Sequence, residues 1–555
     1  MLRVLKECDN VANDFSADPV HDLRVSLRRC RSMADGMMAM DPDPDWKAMK
    51  KAGKALFQRL GALRDVQIMM DWIDQLEPKV EKASAEKPQA EIKESNVARA
   101  LPLTSSGQAL PASDQEPGAV AEGPDHEPAE AGDLPTGDPA AHALLAILRQ
   151  RETEQKREAR AVLEEFDRKQ WRQWSKTLPQ RAAHIRPGSI VFKHLALERW
   201  TAARELHNRA MRSRSQVALH ATRIGLKRFR YIVENFLPVE HKLWSNDLKH
   251  MQDLLGEVHD LDVLWATALA ARIFPDADSR RCWHDCIVAE RTKRVAAYRD
   301  KMAGPDSLWT IWRTALPQGK QIQEIATRRM KLWAKVLDPD FAHSERVARL
   351  ALELYDGLTR AGLLALPGSK NGVNPGTGSE PDLRPSLYAA ALLHDVGKSK
   401  GDKGHHKESQ ELIKKHGVPL GWNEQEMQRA AIVARFHRGA LPRRGHKELR
   451  DLLPNEQRSV VQLSAVLRLA NALDFAHDGH IRHVKIENIV SPRRRANGFV
   501  RKPPALGKDE AVVIAAEGYV PASDTAQTIA AERYLLETVL RRPLIVKSMK
   551  SAASG

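Results

Sequence analysis

His21-Asp22-Leu23-Arg24-Val25-Ser26-Leu27-Arg28-Arg29-Cys30-Arg31 returns in kind as His220-Ala221-Thr222-Arg223-Ile224-Gly225-Leu226-Lys227-Arg228-Phe229-Arg230. Downstream of each copy the same Lys-x5-Leu-Gly spacing follows, from Lys54 to Gly61 and from Lys249 to Gly256. Arg64-Asp65-Val66 is then mirrored by His259-Asp260-Leu261. A shared order at shared spacing is the mark of an internal repeat, so the first half of the chain reads as two copies of one helical unit.

On a helix, His21, Arg24, Arg28 and Arg31 fall within an arc of about 80°. Leu23, Leu27 and Cys30 point to another side and are expected in the core. The second copy divides in the same way, with His220, Arg223, Lys227 and Arg230 set against Leu226, Phe229 and Val233. Neither stripe carries an acid, whereas a solvated helix face usually mixes signs so that i,i+4 pairs offset repulsion. Guanidinium groups bind phosphate oxygens bidentately, so a phosphate-rich ligand is expected there.

The composition agrees. The 555 residues hold 87 Lys+Arg against 72 Asp+Glu, a formal charge of +15. Between Arg99 and Arg149 there are eight acids and no Lys or Arg, so the rest of the chain carries +23. Such a charge favours polyanions and leaves nucleic acid as a non-specific, salt-sensitive partner only, since no zinc finger, helix-turn-helix or RNA motif is legible. No apolar run of about 18 residues exists, so no membrane span is expected. The charged start of the chain does not suit a signal peptide. Four cysteines do not make a disulfide framework, which fits a cytoplasmic setting.

The repeats resemble the CHAD family, the conserved histidine α-helical domain. The resemblance implies a duplicated four-helix bundle around a basic channel that binds inorganic polyphosphate, and an association with polyphosphate granules. It carries binding roles to His21, Arg24, Arg28, Arg31, Lys54, His220, Arg223, Lys227, Arg230 and Lys249. The domain is expected over 1–315, interrupted at about 79–140 by a disordered acidic insert rich in Pro, Ala, Glu and Gly.

From Phe341 onward, histidines and aspartates adjoin apolar helical runs. His343 opens HSERVARLALELYDGL, His394 and Asp395 end LYAAALLHDVGK, and His405 and His406 precede KESQELI. His437 follows AAIVARF, and Asp474 ends LSAVLRLANALD. Imidazole and carboxylate together suit a first-row divalent metal such as Mn, Fe, Co or Zn, or Mg. Charged groups beside buried helices are costly unless paired or metal-bound. The breaker-rich stretch Pro367 to Pro385 reads as a loop, and the basic run from Arg493 to Lys502 reads as another. VKIENIV and AVVIAAEGY read as two short strands, followed by a helix from Thr525 to Arg541.

This ordered set resembles the HD superfamily of metal-dependent phosphohydrolases. More closely, about 210 residues resemble the C-terminal region of exopolyphosphatase/guanosine pentaphosphatase proteins, through LLHDVGK, GHHKESQELI, ARFHRG and VLRLANALDFAH. The glycine-rich phosphate loops of the actin-like domain that precedes this region in those proteins have no counterpart here. The resemblance implies a mainly α fold with a small C-terminal β element over 316–548, and two divalent metal ions. One would be held by His343, His394, Asp395 and Asp474, and the other by His405 and His437 with Asp395 bridging. His405 matches better than His406, because the small Ser409 lies four residues after it. Asp395 and Lys398 are the expected catalytic residues, and Arg438 a candidate substrate contact. The implied reaction is hydrolysis of a phosphoanhydride, most economically polyphosphate. The alternatives are a non-catalytic polyphosphate-binding protein and a nucleotidase acting on guanosine or dinucleoside polyphosphates.

Overall fold

The computed structural model describes residues 1–76, 134, 137–213, 215–364, 382–487 and 511–549. Almost all of the acidic insert, most of the Pro367–Pro385 stretch and the basic run at Arg493–Lys502 lie outside them. The chain forms two compact units, Met1–Gly319 and Lys320–Gly555.

The first unit is helical throughout: α1 (Leu2–Asn13), α2 (Ala17–Met37), α3 (Pro44–Leu76), α4 (Pro139–Glu164), α5 (Arg168–Ala182), α6 (Ile190–Ser213), α7 (Gln216–Phe236), α8 (Pro238–Ala271), α9 (Ala277–Met302) and α10 (Leu308–Thr314). The two repeat-bearing helices, α2 and α7, are both 21 residues long, and the helices after them have 33 and 34. The apolar stripes do what their spacing demands: Leu23, Leu27, Cys30, Leu226, Phe229 and Val233 are all buried. Small residues let helices approach. A Cβ on Gly225 would meet the Ala203 backbone at 3.1 Å, and one on Gly36 would overlap the Phe236 ring, which brings α6 onto α7 and α2 onto α7. Five tryptophans, Trp46, Trp171, Trp283, Trp309 and Trp312, are almost completely buried. Polar anchors join distant segments: Asp41 accepts from both Trp46 and Arg181, and Asp138 caps α4 while accepting from Trp283 on α9.

The second unit comprises α11 (Gln321–Leu337), α12 (Phe341–Arg360), α13 (Arg384–Leu393), a 3-10 turn at Val396–Lys400, α14 (His405–His416), α15 (Glu424–Arg435), α16 (Lys447–Arg450) and α17 (Pro454–Leu473). Strands β1 (Val484–Glu487) and β2 (Val512–Ala516), helices α18 (Asp524–Glu532) and α19 (Tyr534–Leu540), and strand β3 (Leu544–Ser548) complete it. Its core is Leu- and Ala-rich, built from α12, α13, α15 and α17. The expected strand pair is an antiparallel match, Val484 opposite Ala516. Two expectations need correcting. A third strand, β3, joins β2 in parallel, because the short apolar run after Pro543 completes a sheet too small to bury itself with two strands. The helix expected over Thr525–Arg541 divides at Arg533 into α18 and α19.

Candidate metal centre and cationic surface

The metal centre is assembled where α12, α13, α14, α15 and α17 start or end. Asp340 caps α12 and so sets His343 in its first turn. Helix α13 stops at His394, and the 3-10 turn after Asp395 carries the chain to α14, which begins at His405. Gly397 and Ser409 hold this corner. A Cβ on Gly397 would lie 2.1 Å from the His405 carbonyl oxygen, so only glycine fits. The Ser409 hydroxyl accepts from Gly397 N at 2.9 Å and donates to the His394 carbonyl at 2.6 Å.

Asp395 sits at the middle. Its Oδ1 lies 3.1 Å from His405 Nε2 and 3.6 Å from His437 Nε2, and its Oδ2 lies 3.4 Å from His394 Nε2 and 2.5 Å from Lys398 Nζ. His394, His405 and His437 share one design: Nδ1 bonds a backbone carbonyl three residues earlier, at 2.7, 2.9 and 2.7 Å respectively. That bond fixes the tautomer and leaves Nε2 with its lone pair for the centre. Two groups of buried side chains present ligand atoms within 4.8 Å of one another: His343, His394 and Asp395, and Asp395, His405 and His437.

The electrostatics fit a cation. Burial alone would raise the Asp395 carboxyl, yet His394, His405, His437 and Lys398 around it hold it well below the carboxylate range. Burial pushes His394 and His437 down, the direction that favours the neutral imidazole a metal ion binds. His394 Nε2 is buried without a hydrogen-bond partner, and a metal ion would satisfy its lone pair. By donor set and tautomer, these residues fit a divalent metal.

Asp474, an expected ligand, has its Oδ2 2.7 Å from His343 Nδ1, and Arg346 Nε spans both of its oxygens at 3.0 and 2.9 Å. His343 Nε2 meets Asn471 Oδ1 at 3.0 Å. His477, not singled out in the sequence, stacks on His343 at 3.8 Å and bonds Asp340 at 2.6 Å. Its left-handed backbone, φ 57°, is the turn that returns the ring to the site, and no local pattern signals it. A cavity of about 230 Å³ opens on the centre, lined by His343, Asp395, Lys398, His405, His437 and Arg438, with Phe475, Thr528 and Glu532 on its wall. Arg468 ties that wall together: Nε bonds Glu532 at 2.8 Å, and Nη1 donates to the Phe436 and Gly439 carbonyls.

In the first unit, α2 and α7 bring their stripes into one field. Arg28 of α2 lies over the Tyr231 ring of α7 at 5.7 Å. Burial, Arg223, Arg28 and Arg24 push the Lys227 ammonium well below its ordinary value, with Asp65 opposing. Burial and the cations around them lower His21 and His220. His220 Nδ1 is 3.2 Å from His259 Nδ1, and burial with Arg223 pushes His259 down to about 3.

The candidate binders are not equivalent. Arg24 is buried and donates to the Leu60 and Gly61 carbonyls at 2.9 and 3.2 Å. In the second copy the buried Arg223 lies over Gly256, its Nε 3.9 Å from where a Cβ would stand. Arg24 thus bonds the Leu-Gly carbonyls of its own copy, and Arg223 lies near the glycine at the matching position of the other. Arg31 donates to the Lys50 carbonyl at 3.0 Å, and Arg230 to Gln252 at 3.3 Å. Lys54 is exposed and Lys249 half-buried. The acid-free character of each stripe does not extend to the assembled surface. Asp253 and Asp260 of α8 share the field, and burial raises their carboxyls to about 6 and about 7 despite Lys249 and Arg230 beside the first and Arg223 beside the second.

Among the described residues no helix is long and apolar enough to cross a membrane. No curated protein matches this chain. Residues 2–269 match the CHAD domain, and residues 324–497 match the Ppx/GppA phosphatase, domain III. The buried His/Asp triads within the latter region support a metal-dependent phosphohydrolase function. The chain is therefore a CHAD domain fused to a Ppx/GppA phosphatase domain III.

Proposed function

We propose that the second unit hydrolyses a phosphoanhydride, most economically inorganic polyphosphate, and that the first unit binds the same polymer through the cationic surface of α2 and α7. The observation that carries this reading is the Asp395 carboxylate among three imidazole Nε2 atoms whose Nδ1 atoms are all tied to backbone. A site serving structure alone has no need of two overlapping triads opening on a cavity.

His343, His394 and Asp395 would hold one metal ion, and Asp395, His405 and His437 a second. Bound there, divalent ions supply Lewis-acid charge and a lowered pKa for water. Asp474 meets His343 at Nδ1 and Asn471 meets it at Nε2, one of which a metal ion would displace, and the His477 stack covers the ring face. Lys398, 2.5 Å from Asp395, reaches the cavity and neutralises a phosphoryl oxygen placed there, as does Arg438. Helix lengths matched between α2 and α7, and an arginine near the repeat glycine in both copies, support the duplicated-bundle reading. The acids at Asp65, Asp253 and Asp260 would tune that surface by withholding some cations until a polyanion competes for them.

The test is phosphate release from long-chain polyphosphate by the purified chain, with Mn, Mg, Fe and Co supplied separately beside a metal-free control. Metal-dependent release is the expected result. Binding of the polymer without release under any metal would overturn the hydrolytic half.

A further inference from the structure

Arg346 lies one turn after His343 on α12 and reaches across to the turn that follows α17. Its Nε spans the two Asp474 carboxylate oxygens at 3.0 and 2.9 Å, and its Nη2 donates to the His477 carbonyl at 2.8 Å. The turn closes the contact from its own side. Gly479 N donates to Asp474 Oδ1 at 3.2 Å, and a Cβ on Gly479, at φ 68°, would stand 3.0 Å from Arg346 Cδ. His477 Nδ1 bonds Asp340 at 2.6 Å, and Asp340 caps the helix that carries His343 and Arg346. Asp340, His343 and Arg346 at the start of α12 thus meet Asp474, His477 and Gly479 in one closed set of contacts. Among the described residues Arg346 is not part of the metal-cavity wall, whereas His343 and His477 are.

A cation beside a cation site opposes metal binding by Coulomb repulsion, so an arginine standing there calls for another reason. The reason is geometric. A guanidinium presents several N–H donors in a rigid fork, and here it joins the Asp474 carboxylate to the His477 carbonyl, which the single ammonium of a lysine does not span. We propose that Arg346 is the positioning residue of the His343 metal site, holding Asp474 and the His477 turn where that site needs them. Asp474 serves the site as partner of the His343 ring or as a ligand, and both roles need its carboxylate where Arg346 keeps it. The proposal rests on the metal-dependent reading above and concerns the group of His343, His394 and Asp395. The other group takes His405 from the start of α14 and His437 from the end of α15, so its ligands do not depend on this turn.

The experiment uses the full chain, stripped of metal and titrated with Mn2+ alone, the free ion being followed by electron paramagnetic resonance. Two backgrounds separate the sites: His405→Ala leaves the His343 group, and His343→Ala leaves the group of Asp395, His405 and His437. Arg346→Ala should weaken Mn2+ binding roughly 10–100-fold in the first background, the usual effect of losing an outer partner of a metal ligand. In the second background the change should stay within about twofold, as for independent sites. Arg346→Lys keeps the charge and loses the fork, so its affinity should fall between those of Arg346→Ala and the parent. Gly479→Ala pushes the guanidinium aside with the charge unchanged and should weaken the same site. An affinity that is unchanged or raised by Arg346→Ala in the first background overturns the proposal and leaves Arg346 a bystander charge. Equal weakening in both backgrounds overturns it too, because a general loss of structure has no site preference. If Arg346→Ala does not fold, Arg346→Lys and Gly479→Ala decide by the same comparison. A wild-type chain that binds no Mn2+ overturns the metal-centre reading and this proposal with it, a failure set apart by the wild-type titration.

Discussion

The Ser409 hydroxyl stands between the chain segments that carry His394 and His405, 2.6 Å from the His394 carbonyl it donates to, and it also accepts from Gly397 N. Helix α14 is thereby pinned to the turn that carries Asp395, and His405 is delivered one helical turn before Ser409. Ser409→Ala leaves a buried N–H without its acceptor, at a cost of about 1–3 kcal/mol. A lowered melting temperature and weaker metal binding by calorimetry are expected together. A variant with full metal affinity would show that the corner does not position the ligands.

Asp395 is shared by both triads, so its loss removes both sites at once. Asp395→Ala should reduce metal-dependent phosphate release by at least about 10³-fold and leave polyphosphate binding by the first unit largely intact. Metal removal gives a readout free of turnover. At a hundred times its Kd, a ligand stabilises the folded state by about 2.7 kcal/mol. A chelator should therefore lower the melting temperature of the wild type and not that of Asp395→Ala.

The cationic positions should separate into two kinds. Arg24 holds the Leu60 and Gly61 carbonyls from a buried position, so Arg24→Ala should destabilise the first unit by about 3 kcal/mol, measured by denaturant unfolding. Lys54 is exposed, so Lys54→Ala should leave stability within about 0.5 kcal/mol while weakening polyphosphate binding and flattening its salt dependence. Equal stability losses in the two variants would contradict this division.

Asp41 offers a pH test away from the metal centre. Burial alone would raise its carboxyl, but hydrogen bonds from Arg181 and Trp46 lower it below its ordinary 3.8. A folded-state pKa below the unfolded one stabilises the fold above about pH 4, and that stabilisation is lost as pH falls through the folded value. Asp41→Asn should therefore cost about 2 kcal/mol at pH 7. The gap between variant and wild type should close toward pH 3, as thermal melts across that range would show.

Much of this was legible locally. The spacing of His21, Arg24, Arg28 and Arg31, and of their second-copy counterparts, places cations on one helical side and Leu23, Leu27, Leu226 and Phe229 in the core, because a period of 3.6 residues is a property of the backbone itself. The order His343, His394-Asp395, His405, His437 carries the donor types a divalent metal needs, and Ser409 marks which of two adjacent histidines turns inward. Only the tertiary structure decided that Arg24 spends its guanidinium on Leu60 and Gly61, that Asp253 and Asp260 enter the cationic field, and that Asp474 engages His343 and Arg346. The stacking of His477 on His343 belongs to the same class. Each depends on segments far apart in the chain meeting with a given side chain and a given oxygen in reach. Periodicity reports which way a residue faces on its own helix, and it is silent on what the neighbouring helix brings to meet it.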